Sequence, residues 1–297
     1  MSRFRIAIIG CGVVGRIHLR EALAFPDCEV AAVIDVNRAA AEALAKEYGI
    51  ARAGTTAEEA FADPRIDGVV LALPTVLRQE PARRALAAGK HLLLEKPMGL
   101  NAEEVAELLR LRGKLTVACC SSRMSLMSHA RKAQATYAAG ALGDLRSIHC
   151  WATSPLGARP TTAPPAWRLS RQLNGGGILM NWGVYDLDFL LAISGWKLRP
   201  ASVSAQMWNV ATQAADRVAR GSDGETHLTA FVRFAGGGVL VYERGEFTAA
   251  PVRHEWQLLG DRGAMRLHLH DARATAWLDR SDPDSGAACC RPPPPGR

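Results

Sequence analysis

The chain has 297 residues, 48% of them apolar and 22% charged, close to the average of a soluble globular protein. That composition excludes a collagen-like, coiled-coil or disordered chain, and no run approaches the ~18 apolar residues of a membrane span. The formal charge of +7 comes from 36 Lys+Arg against 29 Asp+Glu, dispersed without a basic block, so neither nucleic acid nor a membrane is an expected partner. Cys11, Cys28, Cys119, Cys120, Cys150, Cys289 and Cys290 are odd in number, include two adjacent pairs and form no Cys-x-x-Cys. Neither a disulfide framework nor a zinc site is expected, and reduced thiols suit a cytoplasmic location. Arg3 and Arg5 before Ile6–Gly10 imitate a secretion signal, but the apolar stretch is too short to be one.

From Arg3 to Cys120 short apolar runs alternate with helical periodicity. The predicted strands are Arg5–Ile9, Val30–Asp35, Gly68–Leu73, His91–Glu95 and Leu115–Cys119. The helices between and after them are Val14–Phe25, Arg38–Tyr48, Ala57–Ala62, Arg78–Ala88 and Ala102–Arg112. Gly49, Gly89 and Gly113 stand where helices stop, and Asn101 with Glu104 resembles a capping box. Strand–helix alternation predicts α/β architecture with a doubly wound parallel sheet.

The pattern changes after Cys120. A helix Ser125–Ala139 and a strand Asp144–Ala152 lead into a proline-bearing loop that ends near Leu173. A helix Ile178–Ile193 follows. Then come strands Ala201–Asn209, Glu225–Phe234, Gly238–Phe247, His254–Gly260 and Ala264–Leu269, joined by short turns. The expected organisation is a first domain over residues 1–121 and an α+β domain over 122–280 with an open, mostly antiparallel mixed sheet. Residues 281–297, with Pro283 and Pro292–Pro295, read as a disordered tail that folding does not require.

Gly10-Cys11-Gly12-Val13-Val14-Gly15 joins the first strand to the first helix. In that setting the glycines allow a tight turn, a close approach to pyrophosphate, and helix–strand packing. Asp35 ends the next strand, about 20 residues on, where an acidic side chain binds ribose hydroxyls. Its charge repels a 2′-phosphate, so NAD is favoured; Arg38 nearby leaves NADP possible. Glu95-Lys96-Pro97 follows a buried strand, and such strand ends face the cofactor crevice. Lys96 there is placed to donate to a substrate oxygen, although many strand-end lysines are only solvated. After Gly175-Gly176-Gly177, residues Asn181, Tyr185 and Asp188 recur at i, i+4 and i+7 and share a helix face, which lines either a site or merely a polar edge. The eight histidines show no metal spacing, so no metal is expected.

Together these features resemble the Gfo/Idh/MocA oxidoreductases, the glucose–fructose oxidoreductase and inositol dehydrogenase group, over residues 4–270. The resemblance is carried by the GCGVVG turn with Asp35, AGKHLLLEKPMGLNAEEVAELL, GALGDLRSI and GGGILMNWGVYDLDFLL. It implies an N-terminal Rossmann domain and a C-terminal domain with an open sheet. The implied cofactor residues are Gly10, Gly12, Val13, Val14, Gly15, Asp35, Arg38, Leu73, Pro74, Glu95 and Lys96. Substrate would meet Lys96, Trp167, Arg168, Asn181 and Tyr185, with Lys96, Tyr185 and Asn181 catalytic.

The implied reaction is hydride transfer between NAD(P) and a hydroxyl or keto carbon of a sugar, cyclitol or related polyol. In that reading Tyr185 exchanges the proton while Lys96 orients substrate and favours phenolate. Alternatives on the same scaffold are glycoside cleavage through transient oxidation and a non-catalytic cofactor-sensing regulator. An open second sheet needs cover, so a homo-oligomer, dimer or tetramer, is expected. Several positions depart from the commoner pattern: Asn181 and Tyr185 replace an Asp–His dyad, Thr75 replaces Asn, Arg78 replaces His, and the C-terminus looks truncated.

Overall fold

The computed structural model describes residues 3–162, 164–269 and 275–278. They form two compact units. One comprises the described residues up to Cys120 together with Gln172–Gly175; the other comprises Ser121–Arg171 and the described residues from Gly176 onward. The expected tail at 281–297 lies outside the described residues.

The first unit holds six strands: β1 Phe4–Ile9, β2 Cys28–Ile34, β3 Ala53–Gly54, β4 Gly68–Leu71, β5 His91–Leu94 and β6 Val117–Cys119. They run parallel in the order β3-β2-β1-β4-β5-β6. The helices are α1 Val13–Leu23, α2 Arg38–Tyr48, α3 Glu58–Phe61, α4 Gln79–Ala87 and α5 Ala102–Leu111. Along β1, Ala7 and Ile9 enter one apolar cluster while Ile6 and Ile8 enter another. The sheet is therefore covered on both faces, as parallel sheets require. Strand order reverses direction between β1 and β4, and the carboxyl ends of such strands border the ligand crevice of doubly wound folds.

Local chemistry sets the helix ends. The Asn101 side chain accepts from Glu104 N–H at 2.9 Å, and the Glu104 carboxylate accepts from Leu100 N–H at 2.7 Å. Asn37 caps α2 by accepting from Ala40 N–H at 3.3 Å. Gly49 ends that helix in the left-handed conformation.

The second unit packs helices α6 Ser128–Ala138 and α8 Val184–Ile193 on one face of a seven-stranded sheet. Its strands are β7 Leu145–Pro155, β8 Pro200–Trp208, β9 His227–Phe234, β10 Val239–Thr248, β11 Arg253–Gly260, β12 Gly263–Leu267 and β13 Thr275–Leu278. A short helix, α7, spans Arg171–Asn174 within the loop before the glycine triplet. The sheet order is β13-β12-β11-β7-β10-β9-β8. Only the β7–β10 pairing is parallel, which makes the sheet mixed but mostly antiparallel. Ile148, Cys150 and Ala152 of β7 point into the core with Phe189, Tyr242 and Trp256. The alternate residues Ser147, His149 and Trp151 stay partly exposed on the other face.

Two features differ from the sequence expectation. Strands β3 and β13, two and four residues long, have no counterpart among the expected strands. The helix expected from Ile178 to Ile193 opens with a π-helical turn, Leu179–Gly183, before becoming α-helical. A Cβ on Gly183 would lie 2.5 Å from Leu179 Cδ1 and 2.8 Å from the Tyr242 hydroxyl, so glycine admits Tyr242 beside the wide turn. That hydroxyl donates to Asp186 Oδ2 at 2.7 Å.

Asp186 is fully buried and receives a forked pair of hydrogen bonds from Arg244, both 2.7 Å. Burial disfavours the Arg244 charge, but the Asp186 carboxylate outweighs it and holds the guanidinium above its ordinary pKa. The pair joins α8 to β10. Replacing Arg244 by leucine leaves the Asp186 carboxylate buried without its counter-charge, with the Tyr242 hydroxyl as a remaining donor. The expected loss of unfolding free energy is about 3–5 kcal/mol, read by urea denaturation, and an Asp186→Leu/Arg244→Leu double variant should recover part of it.

Candidate functional site

The glycine turn emerges from β1. Gly10 has φ +100°, and a Cβ there would sit 2.5 Å from the Ala72 carbonyl oxygen. At Gly15 a Cβ would fall 1.7 Å from the Gly10 carbonyl oxygen. Both positions are therefore closed to side chains, and α1 is drawn against β1 and the end of β4. Gly12 is the opposite case: nothing lies within 4 Å of its notional Cβ. Gly12 is also the N-cap of α1, with no side-chain hydrogen bond to the helix amides. Val13 is 79% exposed and Val14 is exposed too. Open space above an uncapped helix N-terminus accommodates an anion. On this observation the turn fits a dinucleotide pyrophosphate.

Asp35 follows β2. Its Oδ2 accepts from Cys11 N–H and its Oδ1 from Asn37 N–H, both at 2.8 Å. The carboxylate thus sits against the glycine turn, where the sequence placed the ribose contact, and each oxygen keeps a second lone pair for a hydroxyl donor. Arg38 turns away to Glu42, 3.6 Å distant on the exposed side of α2.

Leu73 and Pro74 follow β4. The Leu73 side chain lies 3.2 Å from the Gly10 Cβ position. Its carbonyl accepts from Arg78 Nε at 2.8 Å. Arg78 is 2% exposed and forks across the Glu95-Lys96-Pro97 segment after β5. Its Nη1 donates to the Glu95 and Pro97 carbonyls; its Nη2 donates to Lys96 O at 3.3 Å and Thr75 Oγ1 at 2.8 Å. Thr75 Oγ1 in turn donates to Asn174 Oδ1 at 2.6 Å. Burial pulls the Arg78 guanidinium down to about 10, which leaves it charged at neutral pH. The two departures noted in the sequence, Thr75 and Arg78, thereby form one network that fixes the backbone bearing Lys96. The Lys96–Pro97 peptide is cis.

Glu95 is buried. Its Oε1 meets His18 Nε2 at 3.0 Å and its Oε2 accepts from Lys96 N–H at 3.0 Å. Burial raises the pKa of this carboxyl, but the His18 and Lys96 hydrogen bonds more than offset it and hold the group below the ordinary carboxylate range. His18 had no signal in the sequence beyond its place on α1.

The remaining expected residues belong to the second unit. Asn181 lies buried on the π-helical turn, and Tyr185, 2% exposed, lies on the first turn of α8. The Tyr185 ring packs against Trp182 at 5.5 Å, with the Arg123 guanidinium 4.7 Å from its centroid. Asp188 is half-buried, and burial raises its carboxyl pKa against a Ser125 hydrogen bond. Trp167 is half-buried, and Arg168 pairs with Glu246.

Sequence reasoning missed Glu225. Its Oε2 accepts from Gly177 N–H at 2.9 Å and its Oε1 from Leu179 N–H at 3.0 Å, while its carbonyl accepts from Ile178 N–H at 2.7 Å. A Cβ on Gly177 would lie 2.0 Å from that carbonyl oxygen. The glycine triplet is therefore a crossing point of two backbones, and Glu225 anchors the turn that carries Asn181. Nothing in the strand-like sequence around Glu225 announces this.

Two domain models match the chain. Residues 4–121 match "Oxidoreductase family, NAD-binding Rossmann fold", and residues 130–266 match the GFO/IDH/MocA C-terminal domain. The chain belongs to the Gfo/Idh/MocA oxidoreductase family. It is 30% identical over 205 residues to inositol 2-dehydrogenase of Rhizobium meliloti (strain 1021), covering 68% of this chain and 57% of that protein. To D-glucoside 3-dehydrogenase of Escherichia coli (strain K12) it is 29% identical over 201 residues, covering 66% and 55%. The matched part thus spans a little over half the length of these relatives. In fold it is similar to levoglucosan dehydrogenase solved with NADH and L-sorbose, at TM-score 0.82 and 19% identity over 98% of this chain and 80% of that one.

Arg78→Met removes the donors of four backbone carbonyls and the Thr75 hydroxyl. At about 1–3 kcal/mol for each buried acceptor left unpaired, the expected loss of stability is at least about 2 kcal/mol, measured by denaturant unfolding. Arg78→Lys should recover only part, because an ammonium lacks the planar fork.

Proposed function

We propose that the protein is an NAD-dependent oxidoreductase acting on a hydroxyl or keto carbon of a sugar, cyclitol or related polyol. The observation that carries this reading is the first unit's arrangement: an open Gly12 at an uncapped helix N-terminus, Asp35 hydrogen-bonded to the same turn, and the Lys96 segment clamped at the end of β5. The nicotinamide, when bound, supplies the acceptor or donor of hydride. The amides at the start of α1 hold the pyrophosphate, and Asp35 accepts from ribose hydroxyls while its charge opposes a 2′-phosphate. Leu73 and Pro74 border the turn with Gly10, and the His18-paired Glu95 fixes the backbone N–H of Lys96.

Lys96 donates to the substrate oxygen, and Tyr185 exchanges the hydroxyl proton. A free phenol, with pKa ~10, is a weak base at neutral pH. A neighbouring cation favours phenolate, and the Arg123 guanidinium over the Tyr185 ring supplies one within the second unit. Asn181 hydrogen-bonds substrate without taking a proton. The burial of Tyr185 favours a second reading in which Lys96 alone handles the proton.

The test follows turnover of NAD(H) with a panel of polyols and sugar ketones. NAD(H) should bind more tightly than NADP(H), and Asp35→Ser should erase that preference. Lys96→Met and Tyr185→Phe should each lower kcat by about 100-fold or more while leaving NAD affinity nearly intact. Full activity of Tyr185→Phe with loss in Lys96→Met selects the second reading; NADP preference with no polyol turnover overturns the assignment.

We also propose that the second sheet is covered by a second copy of the chain. On its open face Trp151 stacks on His149 at 5.0 Å and lies under Arg253 at 3.6 Å, while Phe231 and Trp208 are exposed. Static light scattering at micromolar concentration should give a dimer or tetramer, and Phe231→Arg should shift it toward monomer. A monomeric parent protein removes the proposal.

A further inference from the structure

We propose that His18, Glu95 and Cys120 form a binding site for one zinc-class divalent cation. The three come from separate elements: His18 from α1, Glu95 from the residue after β5, and Cys120 from the residue after β6. Parallel strand order brings them together in the first unit although they are far apart in sequence. The proposal stands independently of the oxidoreductase reading, because it concerns donor atoms and not turnover.

One nitrogen, one oxygen and one sulfur donor lie mutually within 4.8 Å. His18 Nε2 is 3.0 Å from Glu95 Oε1 and 3.8 Å from Cys120 Sγ. Both neighbours approach the same ring nitrogen. A proton relay would use the two different nitrogens of the ring, as a nucleophile–His–acid triad does. Convergence on one point is instead what a shared ion requires. Zinc bonds of about 2.0–2.3 Å at tetrahedral angles put donor atoms about 3.3–3.8 Å apart. The two His18 separations, 3.0 and 3.8 Å, lie within a few tenths of an ångström of that range, and Glu95 and Cys120, within 4.8 Å of each other, are brought to it by side-chain adjustment.

Donor chemistry selects the ion. A thiolate and an imidazole discriminate against magnesium and calcium, which prefer all-oxygen shells. Cys120 thiolate and Glu95 carboxylate balance a 2+ charge with neutral His18 as third ligand. Binding releases the thiol proton to solvent as the sulfur–metal bond forms. The fourth tetrahedral position is left for water. Glu95 is already oriented by an outer partner, since its Oε2 accepts from Lys96 N–H while Oε1 faces His18. Such outer contacts commonly fix a ligating carboxylate.

The experiment uses the full chain, reduced and stripped with chelator, in a Cys289→Ser/Cys290→Ser background so that thiols outside the described residues do not contribute. Cobalt(II) is the probe. One equivalent should produce a thiolate-to-cobalt charge-transfer band in the near ultraviolet, and zinc(II) should displace it stoichiometrically. Cys120→Ser should abolish the band while Cys119→Ser retains it. His18→Gln should weaken zinc binding by more than the ~100-fold at the upper end of losing an outer-shell partner. Circular dichroism checks the fold of each variant, and Cys120→Ser, at a half-buried position, carries the test if His18→Gln does not fold. Absence of cobalt and zinc uptake by the parent protein, or a band that survives Cys120→Ser, overturns the proposal.

Discussion

Gly15 carries no side chain because the Gly10 carbonyl oxygen occupies the space one would need. That single backbone approach sets how near α1 comes to β1 and, through Gly10 and Ala72, to the end of β4. Everything the first unit offers a ligand hangs on it. The amides of α1 are aimed by the helix axis, Asp35 reaches the turn through Cys11 N–H, and His18 reaches Glu95 from the next turn of the same helix. A helix standing farther from the sheet would break all of these contacts together, since they share one rigid element.

The second unit solves a similar problem with a carboxylate. Gly177 lets the chain cross Glu225 at backbone distance, and the two carboxylate oxygens then take two amides at the mouth of the π-helical turn. A buried acid in this setting stabilises because its charge is met by aligned N–H groups and a helix start. One turn further along, Asp186 is stabilised by a different means, a forked guanidinium and a phenol. Two buried acids on opposite sides of the wide turn thus hold it from both ends, between the Glu225 segment and β10.

Much of this was legible in the sequence. Alternating apolar runs and glycine stops identified the first unit's main strands and helices because a parallel sheet buried on both faces leaves a continuous apolar signature in each strand. Gly10, Gly15, Asp35 and the Lys96 segment stood out as candidates because the signals at these positions are local: a turn, a strand end, a fixed spacing. Arg78 was visible as an unusual residue, but its clamp on the Glu95, Lys96 and Pro97 carbonyls was not, since that needs the fold to return α4 beside β5. Glu225 and the His18–Glu95–Cys120 grouping are non-local for the same reason, with partners tens of residues away. The π-helical turn escaped because periodicity over five residues cannot separate 3.6 from a slightly wider pitch.

The parallel pairing of β7 with β10 also bears on how the chain is made. Residues 145–155 form the middle of the second sheet, yet both of their neighbours, 239–248 and 253–260, are translated roughly a hundred residues later. Until those arrive, β7 has two unsatisfied edges, and the apolar face of α8 has no floor to rest on. The first unit can assemble as it leaves the ribosome, strand beside strand. The second is held open while most of its length is synthesised, so its nascent form exposes the surfaces that chaperones bind, and loop closure rather than local propensity sets its pace.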